Sequence, residues 1–123
     1  MIKNILLVGL GGSIGSMLRY GCWLLFNSKY FPFATLAVNV IGSLIIGLVF
    51  ALSLKDGSFN DNWKLFIATG ICGGFTTFSA FSAENMLLLQ NGKYTLAFVY
   101  IVCSVIAGIA AALLGFKLLT LNS

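Results

Sequence analysis

The fold of this chain is decided by the stretch Gly70-Ile71-Cys72-Gly73-Gly74-Phe75-Thr76-Thr77-Phe78-Ser79-Ala80-Phe81-Ser82. It lies in an apolar segment, about residues 63–90, that is long enough to cross a membrane. Three glycines and a Thr-Thr pair interrupt the segment, and both residue types disfavour a continuous helix. In lipid, a break frees backbone groups that water cannot reach, so it persists only where it is buried in protein or lines a polar site. The pattern predicts a membrane helix that is broken at mid-span, where membrane proteins hold ions.

The composition predicts a membrane protein. Of the 123 residues, 59% are hydrophobic and only 8% are charged, and the mean hydropathy is +1.03. A soluble domain has about a quarter of its residues charged. The seven basic residues are spread along the chain, which excludes a nucleic-acid-binding patch and leaves membrane lipid as the surroundings.

Histidine is absent, which removes the usual metal ligand and the usual general base. Cys22, Cys72 and Cys103 lie in apolar segments at no ligand spacing, so we interpret them as packing residues. No nucleophile–base pair is visible in the sequence. We therefore predict that the protein is not an enzyme.

Four apolar segments, roughly 5–26, 33–54, 63–90 and 94–119, each reach the length of about 20 residues that a membrane-spanning helix needs. Polar turns at 27–32, 55–62 and 91–93 separate them. The first segment has no cleavage site and contains Arg19, which indicates a retained helix rather than a signal peptide. The prediction is an all-α membrane protein: one domain, residues 1–123, with four transmembrane helices, the third broken, in the cell membrane.

The basic residues hardly favour one orientation in the membrane. With both termini on the same side, the basic residues of that side are Lys3, Lys55, Lys64 and Lys117, and those of the other side are Arg19, Lys29 and Lys93. Because basic residues collect on the cytoplasmic side, this balance permits insertion both ways up and hence an antiparallel homodimer. The alternative is that the small bias decides the orientation. Small residues four apart, as in Ser104, Gly108 and Ala112, allow helices to approach closely.

Two of the polar side chains inside the predicted spans are candidates for function, because an unpaired polar group is costly there. The amide of Asn39 either donates to a passing anion or bonds to the backbone of a neighbouring helix, and the sequence leaves both readings open. The guanidinium of Arg19 either attracts anions at a pore mouth or anchors the helix by pairing with an acid such as Glu84.

The break is followed by two aromatic residues on one helix face, Phe78 and Phe81. Their ring edges carry partial positive charge and can hold a small anion without a formal charge. Packing in the core or against lipid is the alternative. The hydroxyl groups that can extend such a path belong to Ser79, Ser82, Tyr100 and Ser104.

Three motifs resemble the Fluc/CrcB fluoride channel family, and the resemblance extends over the whole chain. They run from Gly11-Gly12 to Arg19-Tyr20, from Thr35-Leu36 through Asn39 to Gly42, and over Gly70 to Ser82 followed by Glu84. The third motif is highly specific. The resemblance implies a passive channel that exports cytoplasmic fluoride, built as an antiparallel, dual-topology homodimer with two anion paths.

The resemblance also implies roles for individual residues. The backbone carbonyls of Gly73 and Thr76 from both subunits would hold one structural Na⁺ at the dimer centre. The fluoride path would be lined by Asn39, Phe78, Ser79, Phe81, Tyr100 and Ser104, with Arg19 at its mouth. The family often carries further hydroxyls one and two turns after Ser104, where this chain has Gly108 and Ala112. We therefore expect the path to be partly closed or re-routed in that region.

Two other functions fit a chain of this size. A small multidrug-type, proton-coupled antiporter is similar in its four spans and antiparallel pairing, but it needs a carboxylate in the first span, which here contains none. A non-transporting membrane assembly subunit would pack against larger proteins and conduct nothing in liposomes.

Overall fold

The structure is a computed structural model that describes residues 1–26, 31–55 and 61–120. Helix α1 (Ile2–Phe26) and helix α2 (Phe33–Lys55) form the first two spans. Helix α1 begins three residues before the predicted start, because Ile2, Lys3 and Asn4 continue the helix beyond the apolar run. Parts of the predicted turns at 27–32 and 55–62, namely residues 27–30 and 56–60, lie outside the described ranges.

The third span is broken, as predicted. It starts with the short helix α3 (Asp61–Lys64), a π-helical segment (Leu65–Cys72) and the single turn α4 (Gly73–Phe75). The backbone then becomes extended at Thr76 (φ −81°, ψ 156°) and Thr77 (φ −150°, ψ 123°). Helix α5 (Phe78–Gln90) completes the span, and helix α6 (Tyr94–Thr120) forms the fourth.

Four helical stretches are long and apolar enough to cross a membrane: Ile2–Phe26, Phe33–Leu54, Asp61–Gln90 and Tyr94–Thr120. The prediction of an all-α membrane protein with four transmembrane helices, of which the third is broken, is confirmed.

The π-helical segment is not predicted by the sequence. In such a segment each N–H reaches the carbonyl five residues back, as the N–H of Gly73 reaches the carbonyl of Ala68. Gly70 of this segment and Gly74 of α4 face α1, where a Cβ would lie 3.0 Å from the Cα of Gly11 or Gly12 respectively. The segment thus gives α1 a flat surface of backbone to pack on.

Two helix pairs form the bundle, and glycines line both contacts. Helix α2 packs mainly on α6, while α1 packs mainly on the π-helical segment and α4. Between α2 and α6, a side chain at Gly47 or Gly115 would collide with the backbone of the facing helix. Because lipid tails are as apolar as the core, close backbone packing of this kind holds the helices together.

The turn between α5 and α6 has the geometry expected for a helix that ends in glycine. Gly92 has φ +76°, a conformation that side chains disfavour. The N–H of Lys93 donates to the carbonyl of Leu88 at 2.8 Å, and that of Gly92 donates to Leu89 at 3.2 Å. These bonds satisfy carbonyls at the end of α5 and reverse the chain within three residues.

We expect Gly15→Ala to destabilise the protein, because its Cβ would lie 2.7 Å from the backbone nitrogen of Phe75 and 3.0 Å from the carbonyl carbon of Ile71. Overpacking of this kind costs about 1–3 kcal/mol, and it is measured as a lower melting temperature in detergent. Gly9→Ala and Gly21→Ala are matched controls on the same helix, since a Cβ at either position meets nothing within 4 Å. The controls should melt at or above the wild-type temperature, because alanine favours a helix by about 1 kcal/mol over glycine. Equal melting of all three variants would contradict the close packing of α1 on the third span.

Candidate functional site at the break in the third span

One side chain bridges the break. The Oδ1 of Asn39 accepts a hydrogen bond from the N–H of Thr77 at 2.8 Å, and its Nδ2 donates to the carbonyl of Thr77 at 3.2 Å. The amide of α2 therefore satisfies both backbone groups of a residue that has left the helix. The sequence leaves two interpretations of Asn39 open, and the structure shows the second of them, a hydrogen bond to the backbone of a neighbouring helix.

The two threonines at the break stabilise the helix ends on either side of it. The hydroxyl of Thr76 donates to the carbonyl of Cys72 at 2.8 Å, and the N–H of Thr76 donates to the same oxygen at 2.9 Å. The hydroxyl of Thr77 caps α5 by accepting from the N–H of Ala80 at 3.1 Å. The Oγ atoms of Thr77 and Ser79 lie 3.3 Å apart.

These bonds release two backbone carbonyls from helical pairing. In a continuous α-helix, the N–H of Thr77 would donate to Gly73 and that of Ala80 would donate to Thr76. Here both N–H groups donate to side chains instead. Gly73 is exposed, and a Cβ there would meet nothing nearer than the carbonyl of Ala68 at 4.0 Å. The carbonyls of Gly73 and Thr76 are therefore among the backbone oxygens that the break frees from helical pairing.

Carbonyl oxygens are ligands for hard cations such as Na⁺, Ca²⁺ and Mg²⁺. In the three described ranges, no group of three or more His, Cys, Asp or Glu side chains could hold a metal ion.

Arg19 lies beside the break and not at the end of its helix. Its Nε donates to the carbonyl of Gly74 at 3.1 Å, and the residue is part-buried. In a continuous helix, the Gly74 carbonyl would accept a hydrogen bond from the N–H of Phe78. Arg19 therefore satisfies a third backbone polar group at the break, besides the two of Thr77 that Asn39 satisfies. Its side chain also lines a cavity of about 270 Å³ together with Tyr20, Trp23, Thr35 and Glu84, among others.

Glu84 joins three helices through hydrogen bonds. Its Oε1 accepts from the hydroxyl of Tyr100 on α6, and its Oε2 accepts from the hydroxyl of Thr35 on α2, both at 2.8 Å. Tyr100 is 0% exposed and Thr35 is 5% exposed. Thr35 has no site role in the sequence-based prediction. The signal that could have found it is that a carboxylate within a span needs donors from neighbouring helices.

The aromatic residues form a chain that leads from the break to Tyr100. The ring centroids of Phe78 and Phe81 are 5.9 Å apart and the planes are tilted by 44°. The ring of Phe81 lies 5.0 Å from that of Tyr100. Phe78, in contrast, is 77% exposed on this single chain.

The predicted path residues do not line a single cavity in the structure. Asn39, Thr77 and Phe78 line a cavity of about 260 Å³, and Phe81 packs on Tyr100. Ser79 is exposed next to Phe78. Within the described part of the chain, the buried Oγ of Ser104 has no hydrogen-bond partner.

Comparison with known proteins identifies the family of this chain. The family model described as "CrcB-like protein, Camphor Resistance (CrcB)" matches residues 6–116. The chain belongs to the CrcB family. Relatives named fluoride-specific ion channel FluC are found in several bacteria. The protein of Azobacteroides pseudotrichonymphae is 48% identical over 121 residues, which cover 96% of this chain and 97% of the relative. The protein of Flavobacterium psychrophilum is 46% identical over 118 residues, which cover 93% of this chain and 94% of the relative. The protein of Thermus thermophilus is 44% identical over 120 residues, which cover 95% of this chain and 95% of the relative.

Membership of the CrcB family confirms the resemblance on which the sequence analysis relied. The relatives are named as ion channels and not as enzymes, which agrees with the predicted absence of enzymatic activity. With four membrane-capable helices, this CrcB chain is a multi-pass protein of the cell membrane.

Proposed function

We propose that this CrcB chain forms a passive, fluoride-selective channel through which cytoplasmic fluoride leaves the cell. The observation that carries the proposal is the match over almost the whole chain to relatives named as fluoride-specific channels. HF crosses lipid as a neutral acid and dissociates in the less acidic cytoplasm, which traps the anion. An inside-negative potential then drives fluoride out, by about 2.3 kcal/mol per charge for each 100 mV.

The break supplies hydrogen-bond donors at mid-membrane, which support an anion path. Fluoride is small and tightly hydrated, so it enters only where donors replace its water. The Nδ2 of Asn39 has a second hydrogen besides the one bonded to Thr77, and Asn39 lines the same cavity as Phe78. Helix α5 begins here, and its first-turn N–H groups carry the partial positive charge of a helix N-terminus. The ring edges of Phe78 and Phe81 add further positive character.

Tyr100 is proposed to act on the path mainly through its neighbour. The hydroxyl of Tyr100 already donates to Glu84. Tyr100 therefore contributes its ring, whose centroid lies 5.0 Å from that of Phe81. The carboxylate of Glu84 would repel an anion if it were unpaired. The donors Thr35 and Tyr100, and Arg19 in the adjoining cavity, offset that charge.

A homodimer of antiparallel chains is proposed as the functional unit. One chain of four helices encloses little: Phe78 is 77% exposed and Gly73 is also exposed. A second, inverted copy would cover these residues and bring one break against the other. The four-to-three distribution of basic residues on the two sides permits insertion in both orientations.

A structural Na⁺ between the two breaks completes the proposal. The carbonyls of Gly73 and Thr76 have lost their helical donors to Asn39 and to the cap of α5. Two copies would supply four such oxygens around one point, a ligand set that suits a hard cation. The ion would hold the dimer together and would not be transported.

We expect wild-type protein in liposomes to release fluoride much faster than chloride, as measured with ion-selective electrodes. Phe81→Ile and Phe78→Ile should each slow fluoride efflux about tenfold or more, since tenfold corresponds to about 1.4 kcal/mol, the scale of one strong aromatic contact. Phe98→Ile is the matched control, because Phe98 is 68% exposed on α6 and lies outside the proposed path.

Asn39→Asp keeps an acceptor for the N–H of Thr77 but has no amide hydrogens, so it should fold and conduct poorly. Wild-type-like flux from the Phe78, Phe81 and Asn39 variants would contradict the assigned path, and absence of wild-type flux would contradict the channel.

Na⁺ should stabilise the purified dimer. Melting temperature and dimer fraction are measured in NaCl and in choline chloride at equal ionic strength. A ligand that binds only the folded dimer stabilises it by RT ln(1 + [L]/Kd), which is about 2.7 kcal/mol at a concentration one hundred times Kd. Equal melting and equal dimer fraction in both salts would contradict the carbonyl site and leave the anion path unaffected.

A further inference from the structure

A hydroxyl group that the predicted path does not include opens into the cavity beside Asn39. The cavity of about 260 Å³ is lined by Asn39, Ser43, Ile46, Thr76, Thr77 and Phe78. Asn39 and Ser43 are four residues apart on α2, so they share one face of the helix. The hydroxyl of Ser43 therefore lies one turn beyond the amide that bridges the break.

In the ranges that the structure describes, no hydrogen bond pairs the Ser43 hydroxyl with the protein. A serine within a helix commonly bonds back to the carbonyl one turn earlier, as Ser13 does with Gly9 at 2.9 Å. At mid-membrane an unpaired hydroxyl is costly. The position of Ser43 in a cavity therefore indicates that something inside the cavity accepts its hydrogen.

Helix α6 leaves space opposite this hydroxyl. Gly108 faces Ser43, and a Cβ added there would lie 3.7 Å from the Ser43 Oγ, an ordinary contact. One turn earlier on the same helix, the Oγ of Ser104 is also without a partner among the described residues. Unpaired hydroxyls thus occur on both helices of the α2–α6 contact, about one helical turn apart, next to a position that has no side chain.

We propose that Ser43 is a fluoride ligand, which donates its hydroxyl hydrogen to an ion in this cavity, one turn beyond Asn39. This inference rests on the proposed channel function. A dehydrated small anion needs several donors close together, and the Nδ2 of Asn39 and the Oγ of Ser43 supply two from adjacent turns. The path then continues along α2, where Gly108 and Ala112 of α6 offer no hydroxyl.

The test is fluoride efflux from proteoliposomes at several fluoride concentrations, with chloride efflux measured in parallel. Ser43→Ala should slow fluoride efflux about tenfold, the effect of one lost hydrogen bond to a charged ligand, while the melting temperature stays near that of the wild type. Ser43→Thr keeps the hydroxyl and should retain most of the rate. Ser13→Ala is the matched control, since its hydroxyl bonds only to its own helix, and its rate should not change.

A second variant moves the hydroxyl from α2 to α6. Because a Cβ fits at Gly108, the double variant Ser43→Ala with Gly108→Ser returns a hydroxyl to the same space and should recover at least half of the lost rate. A wild-type rate of fluoride efflux in Ser43→Ala would overturn the inference. A slow Ser43→Ala protein whose rate the double variant does not restore would also overturn it, because Ser43 would then act through packing alone. Wild-type vesicles that release no fluoride would contradict the proposed channel itself, which distinguishes the two failures.

Discussion

The pair of hydrogen bonds between the Asn39 amide and the backbone of Thr77 is the interaction on which the rest of the structure depends. A break in a membrane helix leaves polar groups that lipid cannot satisfy, at a cost of several kcal/mol for each group. Helix α2 removes that cost for Thr77. Because α2 is held on α6 by close contact at Gly47 and Gly115, the break is fixed relative to the α2–α6 pair.

The same break offers acceptors on one side and donors on the other. Before it, the carbonyls of Gly73 and Thr76 have lost their helical donors. After it, α5 begins with its positively polarised first turn, beside the amide of Asn39 and the hydroxyl of Ser43. A single departure from helical geometry therefore places freed acceptors before the break and hydrogen-bond donors after it. In the proposed function, this separation of acceptors from donors is what lets a channel chain with few ionisable side chains select an ion.

The break, the four spans and the family could be predicted from the sequence, because each has a strong local signal. Glycines and a Thr-Thr pair within an apolar run indicate a break, and long apolar segments indicate spans. The pairing between helices could not be predicted. Arg19 on the Gly74 carbonyl, and Thr35 and Tyr100 on Glu84, depend on how each helix is rotated. In a chain that is apolar on all sides, the hydrophobic pattern does not reveal that rotation. The π-helical segment was missed for a related reason, since backbone packing on glycines of α1 accompanies it and its own sequence has no distinctive pattern.

The most direct test of this account is hydrogen exchange at the Thr77 amide, measured by NMR on the protein in lipid, with and without Asn39→Ala. The account predicts extended backbone chemical shifts at Thr76 and Thr77, a protected Thr77 amide in the wild type, and exchange at least about tenfold faster in the variant, which corresponds to the loss of one buried hydrogen bond. Helical shifts at both threonines, or equal protection of Thr77 in the two proteins, would contradict it.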